Sequence, residues 1–399
     1  MLRTYKTEIN PTGEQRRQTR QSIGVCRYLY NFYLAENKEL YNQFKNGLID
    51  KKQAFMSANN FDIFINHAIK TQEEFAWINE CGSKARKKAI CNAETAFKRF
   101  FKGQSKFPNF KKKKNQDVKM YFPKNNKGDW TVERHRIKVP SLGWVQLKEK
   151  GYIPINLKVT SGTVSFKASR YYVSVLIDVQ DTNDYSTSEN QGIGIDLGIK
   201  DLAIVNTIEK PFKNINKTKE VKKLEKKLKR EQRKLSRKYE SLKARNKKIK
   251  KEGGNATRHN ISKKIAIVQK LHQKLSNIRT NYVNQVINEI VKTKPSYITI
   301  EDLNVRGMMK NKHLAKAVAQ QNFYDFRVKL AFKCKLNNIE LRIVDRWYPS
   351  SKTCSNCESI NKDLKLSDRM YVCPVCGLII DRDKNASVNL ANAKIYKVA

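Results

Sequence analysis

Tyr348-Pro-Ser-Ser-Lys-Thr-Cys354-Ser-Asn-Cys357 and, after a 15-residue gap, Cys373-Pro-Val-Cys376-Gly-Leu-Ile-Ile-Asp381-Arg-Asp383-Lys-Asn385 decide how this chain is read. Two Cys-x-x-Cys pairs at that spacing match a four-thiolate zinc site, because each pair sits on a tight knuckle and soft thiolates suit a tetrahedral metal. A single pair would leave a redox couple open. Two pairs, with Pro374 and Gly377 at the second knuckle, favour zinc at Cys354, Cys357, Cys373 and Cys376. Four protein ligands leave no open position, so this zinc is structural.

The acids just after the quartet open an expected final helix running from about 383 to the chain end. Two other acids share a design. Asp196 lies in Ile193-Gly-Ile-Asp-Leu197, and Glu301 follows Ile298-Thr-Ile300. A carboxylate in an apolar strand is costly unless a metal or a partner compensates it. Each alone could be an exposed residue on a half-buried strand. Two acids ending apolar strands and a third opening a late helix point to magnesium, which prefers carboxylate and water oxygens. A pair of such ions can activate water and stabilise the leaving oxygen of a phosphodiester.

The rest of the chain fits a polyanionic substrate. Its 399 residues carry 81 Lys+Arg against 37 Asp+Glu, a net charge of +44. That far exceeds the needs of solubility and points to long contact with phosphates. An anionic membrane is the other candidate, and the charge favours nucleic acid; with no 18-residue apolar run and no signal peptide, no segment is expected to span a membrane or direct export by the usual route. At 39% hydrophobic and 10% aromatic the chain can bury real cores. Cys26, Cys81, Cys91 and Cys334 are scattered singly and read as small core residues of a reducing, intracellular protein.

Working outward, residues 2–9 read as a strand and 14–102 as helical, with Ala89, Ala93, Phe97 and Phe101 stacked on one face of a helix over 83–101. Its other face carries Lys84, Arg86, Lys87, Lys88 and Lys98, either a solvated face or a phosphate contact. Short strands follow around 118–122, 137–139, 144–148, 164–167 and 171–179, a small antiparallel sheet or barrel whose first strand is the N-terminal one. Residues 181–191 read as a linker. Beyond them, strands at 194–198, 201–205, 297–300 and 339–344 and a helix at 322–336 form a mixed α/β layer. A basic helical hairpin interrupts it. Val221, Leu224, Leu228, Leu235 and Leu242 make one seam, Ile261 to Tyr282 the return, and Gly253-Gly254-Asn255 the turn. From Lys213 to Lys250 there are 18 Lys+Arg against 4 Glu, a bias that favours a nucleic-acid backbone.

These stretches resemble TnpB, the RNA-guided DNA endonuclease family of bacterial insertion sequences, related to type V CRISPR effectors. The likeness rests on Gly194-Ile-Asp196-Leu-Gly198-Ile-Lys200, Ile300-Glu301-Asp302-Leu303-Asn304, and the two cysteine stretches through Ala386. Phe107-Pro-Asn-Phe110-Lys-Lys and the basic hairpin look similar too. The resemblance implies a multidomain α+β protein. A RuvC-like nuclease domain on an RNase H fold would span 191–346 and 381–399, with the basic hairpin at 213–290 and a zinc ribbon inserted at 347–380. A wedge β-barrel of 1–10 and 103–190 would be interrupted by a helical recognition lobe at 11–102. It implies Asp196, Glu301 and Asp383 as catalytic ligands of two Mg2+ (or Mn2+), with Asp381 the alternative to Asp383. It also implies a guide RNA from the element's own end and a double-stranded DNA target beside a short motif, one protein per RNA, in the bacterial cytoplasm and at the nucleoid when on DNA.

Nucleic-acid contacts are expected at Lys84, Lys88, Asn92, Lys111, Lys112, Lys113, Lys226, Arg230 and Arg233, and Arg306 and Gln320 are expected near the cleavage site. Glu358 departs from the family, where glycine often follows the second knuckle cysteine. The alternatives are a compact CRISPR effector, a nuclease-dead RNA-guided repressor, a DDE transposase, and a non-catalytic zinc-ribbon RNA-binding protein. The inserted knob argues against the transposase, and the acids in apolar strands argue against the last.

Overall fold

The computed structural model describes every residue except 1, 114–117, 124–128, 180–189, 250–258 and 366. The expected turn at 253–255 and all of the expected linker but 190 and 191 lie outside the described residues. The chain divides into two compact units, 1–181 and 182–399.

In the first unit, strand β1 (Leu2–Asn10) stops at Pro11, and helix α1 (Gly13–Lys45) begins with a capping box. Thr12 accepts from the Gln15 backbone, while the Gln15 side chain accepts from the Thr12 backbone. The Gln15 amide also donates to the carbonyls of Leu142 and Trp144, which fixes the helix start to the sheet. Helix α2 (Ala58–Phe64) runs into a π turn (Ile65–Ile69), a 3-10 stretch (Glu73–Glu80) and α3 (Ser83–Phe101). The helical expectation for 14–102 therefore holds, with breaks.

Strands β2 (Met120–Phe122), β3 (Thr131–Val132), β4 (Arg136–Val139), β5 (Gly143–Leu147), β6 (Val159–Lys167) and β7 (Arg170–Asp178) join β1 in an antiparallel sheet of order β2-β6-β7-β1-β5-β4-β3. The N-terminal strand joins this sheet, as expected, and takes its middle position. Among the described residues no pairing joins β2 to β3, so the ladder is an open sheet rather than a closed barrel. Alternation along β7 puts Tyr171, Val173, Val175 and Ile177 in the core, with α1 and α3 residues such as Leu29, Tyr33, Ile90 and Phe97 in the same cluster.

The second unit holds a six-stranded sheet of β8 (Ile193–Leu197), β9 (Asp201–Val205), β10 (Phe212–Lys213), β11 (Tyr297–Glu301), β12 (Glu340–Val344) and β15 (Lys397–Val398), and a separate two-stranded pair, β13 (Met370–Val372) and β14 (Ile379–Asp381). The order in the larger sheet is β10-β9-β8-β11-β12-β15, with β8, β11 and β12 mutually parallel and the others antiparallel to their neighbours. Helices α5 (His259–Lys292) and α8 (Phe323–Leu336), with the short α6 (Val305–Met308) and α7 (Ala315–Gln321) between them in the chain, pack on one face through Val283, Ile287, Ile290, Phe326 and Leu330. Helix α9 (Arg382–Ala391) lies against β8, β9 and β11. Gly194 is required there. A Cβ at that position would sit 2.1 Å from the Ser387 carbonyl and 2.4 Å from the Ala391 nitrogen, so only glycine lets helix and strand approach this closely.

The expected final helix ends early. Asn392 caps α9, and the chain returns as β15, an edge strand antiparallel to β12. Its anchor is Arg342, whose guanidinium lies between the rings of Tyr297 (3.5 Å) and Tyr396 (4.3 Å). The basic hairpin is present as α4 (Lys219–Ile249) against α5. Its seam is less apolar than a heptad reading implies. Glu231 is buried between Leu228 and Leu235 and pairs with Lys264 across the hairpin at 2.6 Å. One such charged pair specifies register at some cost in stability.

Candidate active site

The sheet register brings two of the acids together. In the parallel pair β8/β11, Ile298 faces Ile193, Thr299 faces Gly194 and Ile300 faces Ile195. One residue further on stand Asp196 and Glu301, neighbours at the C-terminal ends of adjacent parallel strands. Open α/β sheets bind ligands at such ends. With period-two alternation, Asp196 shares the face of Gly194, the face that α9 covers. The third acid arrives with that helix.

Asp381 and Asp383 divide two tasks. The Asp381 carboxylate is the N-cap of α9 and accepts from the backbones of Asp383 (3.0 Å) and Lys384 (3.1 Å). Asp383, in the first turn, is half-buried and paired with Arg382 at 3.2 Å. Lys384 fixes the same turn, donating its ammonium to the carbonyls of Val205, Asn206 and Ile208 at 2.8–3.0 Å. Its pKa is held down by burial, with Glu209 pulling the other way.

The electrostatics show the acids as one set. Burial first, then the charges of Glu301 and Asp383, push the Asp196 carboxyl up to about 8, against an opposing pull from Arg382. Burial also raises Glu301, while a hydrogen bond from the Ser350 hydroxyl draws it back down. Asp302 is different. Arg327 and Arg346 both bond its carboxylate and hold it below the usual range. A buried anionic set without enough protein cations is what a hard divalent metal compensates, so the donors fit magnesium or manganese. Among the described residues the carboxylates do not converge as tightly as the thiolates do, and only the cysteine quartet has its ligand atoms all within 4.8 Å of one another.

That quartet has the dimensions of a metal site. Cys354 and Cys376 sulfurs are 3.6 Å apart, and those of Cys357 and Cys373 are 3.5 Å apart. Tetrahedral zinc–thiolate bonds place sulfurs about 3.8 Å apart. The Cys376 amide donates to the Cys373 sulfur at 3.4 Å, and with the Ser359 hydroxyl at 3.2 Å it brings that thiol down to about 5. Burial pushes Cys354 up to about 11, a cost that a bound cation removes.

Two asparagines join the quartet to the acids: Asn385, quoted in the sequence motif without this role, and Asn389, which the sequence reading missed. Asn385, fully buried on α9, donates to the Thr353 carbonyl (2.7 Å) and accepts from the Ser355 amide (3.0 Å). Asn389, one turn on, donates to the carbonyls of Ser350 and Thr353, each at 2.7 Å. Cys354 sits between these anchors, and Ser350, at the other end of the loop, bonds Glu301. The signal was available: Asn at i and i+4 inside a helix is unfavourable unless its amides are used.

The expected nucleic-acid residues fall into two places. In the first unit a cavity of ≈550 Å³ is lined by Lys6, Tyr30, Asn92, Lys111, Lys119 and Tyr121 among others. Burial and the neighbouring Lys119 and Lys167 hold Lys6 down, the mark of a cleft short of anions. Lys88 lies over the Tyr121 ring, and Lys84 is paired with Asp129 at 2.8 Å. Lys112 and Lys113 are exposed. In the second unit Lys226 and Arg230 line an open trough on α4 with Lys219, Lys222, Lys223 and Lys227, and Arg233 is exposed further along that helix. Arg306 lines a groove with Glu301. Gln320 is committed elsewhere, donating to Glu225 at 2.6 Å.

Three family signatures match the chain: "Probable transposase" of the OrfB IS605 type over residues 173–312, "Cas12f1-like, TNB domain" over 323–390, and an OrfB IS605 "Helix-turn-helix domain" over 1–46. A curated "Putative RNA-guided DNA endonuclease" of Streptomyces pristinaespiralis is 27% identical over 98% of this chain and 89% of its own length. The chain is thus similar, over nearly its whole length, to proteins of the OrfB IS605 and TnpB kind. "Putative RNA-guided DNA endonuclease InsQ" of Escherichia coli K12 is likewise 27% identical, over 98% of this chain and 92% of that protein. A Cas12f1–sgRNA–target DNA complex shares the fold at a TM-score of 0.56 and 16% identity, covering 100% of this chain and 99% of that one. The described part of the stretch matched by the helix-turn-helix signature, residues 2–46, forms one strand and one unbroken helix, despite the signature's description.

Proposed function

We propose that the chain is an RNA-guided DNA endonuclease. It binds a guide RNA derived from its own element's end and cuts double-stranded DNA beside a short motif. What carries the reading is the convergence of Asp196 and Glu301 by strand register with Asp383 at the start of α9, in a set where burial first and then mutual charge push Asp196 up to about 8. The sheet, three antiparallel strands followed by two parallel ones with an added edge strand, supports a RuvC-like domain on an RNase H fold. On this reading residues 1–10 and 103–190 are the wedge, 11–102 the recognition lobe and 347–380 the zinc ribbon.

Each residue then has a defined task. Asp196, Glu301 and Asp383 would hold Mg2+. Bound there, the metal supplies a nucleophilic water at neutral pH and charge for the leaving oxygen. Asp381 caps the helix that carries Asp383, and Ser350 fixes one oxygen of Glu301. Cys354, Cys357, Cys373 and Cys376 would hold one structural zinc. Lys226, Arg230 and Arg233 on α4, and Lys88, Asn92 and Lys111 around the first unit's cavity, meet nucleic-acid backbones, while guide pairing reads the sequence.

The test is to purify the protein expressed from its native locus and sequence the RNA that accompanies it. One abundant species with a fixed 5′ scaffold and a variable 3′ end is expected. A random mixture of cellular RNA would refute guidance. The match of 323–390 to a Cas12f1-like domain favours a second reading, a compact CRISPR effector. In that case the variable segment would map to a separate repeat array.

A further inference from the structure

Helix α8 carries apolar side chains on its exposed side as well as its buried one. Phe323, Phe326, Leu330 and Cys334 are buried, yet Tyr324, Val328 and Phe332 stand exposed at successive turns. A surface helix ordinarily turns polar residues outward, so this face lacks the covering its composition calls for. Its first residue borders the acids. Tyr324, 73% exposed, lines a cavity of ≈190 Å³ together with Glu301, Asn304, Arg306, Arg327 and Arg346. The three arginines are not equivalent. Arg327 and Arg346 are both committed to Asp302. Arg306, among the described residues, has no acidic partner and is exposed.

The groove therefore offers an open aromatic face, one uncommitted guanidinium and a carboxylate of the acid set. An unpaired nucleotide has the matching parts, a flat base and a phosphate on one backbone. Resting on the nuclease reading above, we infer that Tyr324 and Arg306 form the subsite for a nucleotide next to the scissile phosphate, its base on the Tyr324 ring and its outer phosphate on Arg306. Stacking on an aromatic ring accepts any base, because every base has a π face. A nuclease whose sequence choice comes from a guide needs that indifference where it cuts. Stacking also requires the base to be out of its duplex, so the subsite selects single-stranded substrate. Tyr324 thereby acts on the substrate strand and not on guide pairing.

The experiment uses the full-length protein–guide RNA complex with Mg2+ and target DNAs carrying one abasic site at each position around the cut. In the wild type, one position next to the cut slows cleavage by on the order of 10- to 100-fold, the effect of losing one base–aromatic stack. Tyr324→Ala slows cleavage of intact target by a similar factor with target binding unchanged, and the same abasic position slows it no further. Tyr324→Phe, which keeps the ring, recovers most of the lost rate. Tyr324 is exposed, so its truncation does not threaten folding. Equal rates for Tyr324→Ala and wild type, or an abasic effect of undiminished size in Tyr324→Ala, overturn the subsite while leaving the nuclease reading intact. A wild-type complex that binds target and never cuts it overturns the nuclease reading, and the subsite with it.

Discussion

The two candidate metal-ligand sets of the second unit are built in opposite ways. The four thiolates come from two short knuckles within one stretch of chain, and their sulfurs already stand at tetrahedral spacing. The carboxylates come from β8, β11 and α9, far apart in sequence, and they are less tightly gathered. The first set is closed and local, as a structural site should be. The second depends on strand register and a helix docked on Gly194, and one of its members, Glu301, lines an open groove. A site that must admit substrate is assembled from distant parts, whereas one that only holds the fold can be encoded in a single stretch.

That contrast yields graded expectations. Removing a carboxylate should leave the fold and destroy the chemistry. Asp196→Ala or Glu301→Ala should slow cleavage roughly 1000-fold or more while guided DNA binding persists. Loss of binding as well would make the acids structural. Removing a thiolate should do the reverse in the first instance. Cys354→Ser should lower zinc content of the purified protein and expose the 347–380 segment to protease. Unchanged zinc would sink the assignment.

Ser350 tests whether the two sets communicate. Its hydroxyl bonds Glu301 and its carbonyl is held by Asn389, one anchor of the cysteine loop. Ser350→Ala should weaken Mn2+ binding, followed by electron paramagnetic resonance, about 10- to 100-fold without loss of zinc. An unaltered Mn2+ titration would separate the sets.

The charge within the open set gives a pH signature. With Asp196 pushed up to about 8 in the fold and near 4 in the unfolded chain, the metal-free native state binds the extra proton, so stability falls as pH rises between those values. Metal-free Asp196→Asn should therefore melt several degrees higher than wild type at pH 8, and the gap should narrow towards pH 5. A pH-independent gap would contradict the burial and repulsion described here. The smallest effect lies in the closed set. Glu358 follows the first knuckle with φ of 59°, the conformation Gly377 adopts after the second. Glu358→Gly should stabilise the knob by about 1 kcal/mol, read by protease resistance at 347–380. No gain would show that the strain is relieved elsewhere.

The same contrast explains what could be read in the sequence. Cys-x-x-Cys spacing is local, so the quartet was legible, and so were the apolar strands ending in Asp196 and Glu301. Asp381 and Asp383 stayed unresolved, because choosing between them needs the cap geometry that commits Asp381 to backbone amides. Ser350, Lys384 and the paired Asn385 and Asn389 act across loops and strands that only the fold makes adjacent. The terminal strand β15 was missed because two residues pairing with an edge carry almost no pattern of their own. The seam of α4 was read as apolar steps of 3, 4, 7 and 7 from Val221 to Leu242, which passed over Glu231.

The central claim, a guided nuclease run by Asp196, Glu301 and Asp383, meets its most direct test in one assay. The wild-type and Glu301→Ala complexes, each loaded with the same guide RNA, are given matched double-stranded target and Mg2+, with binding and cutting followed in the same samples. The account predicts equal binding, cutting by wild type alone, and no cutting by wild type when chelator replaces Mg2+. Cutting by Glu301→Ala at the wild-type rate would contradict it.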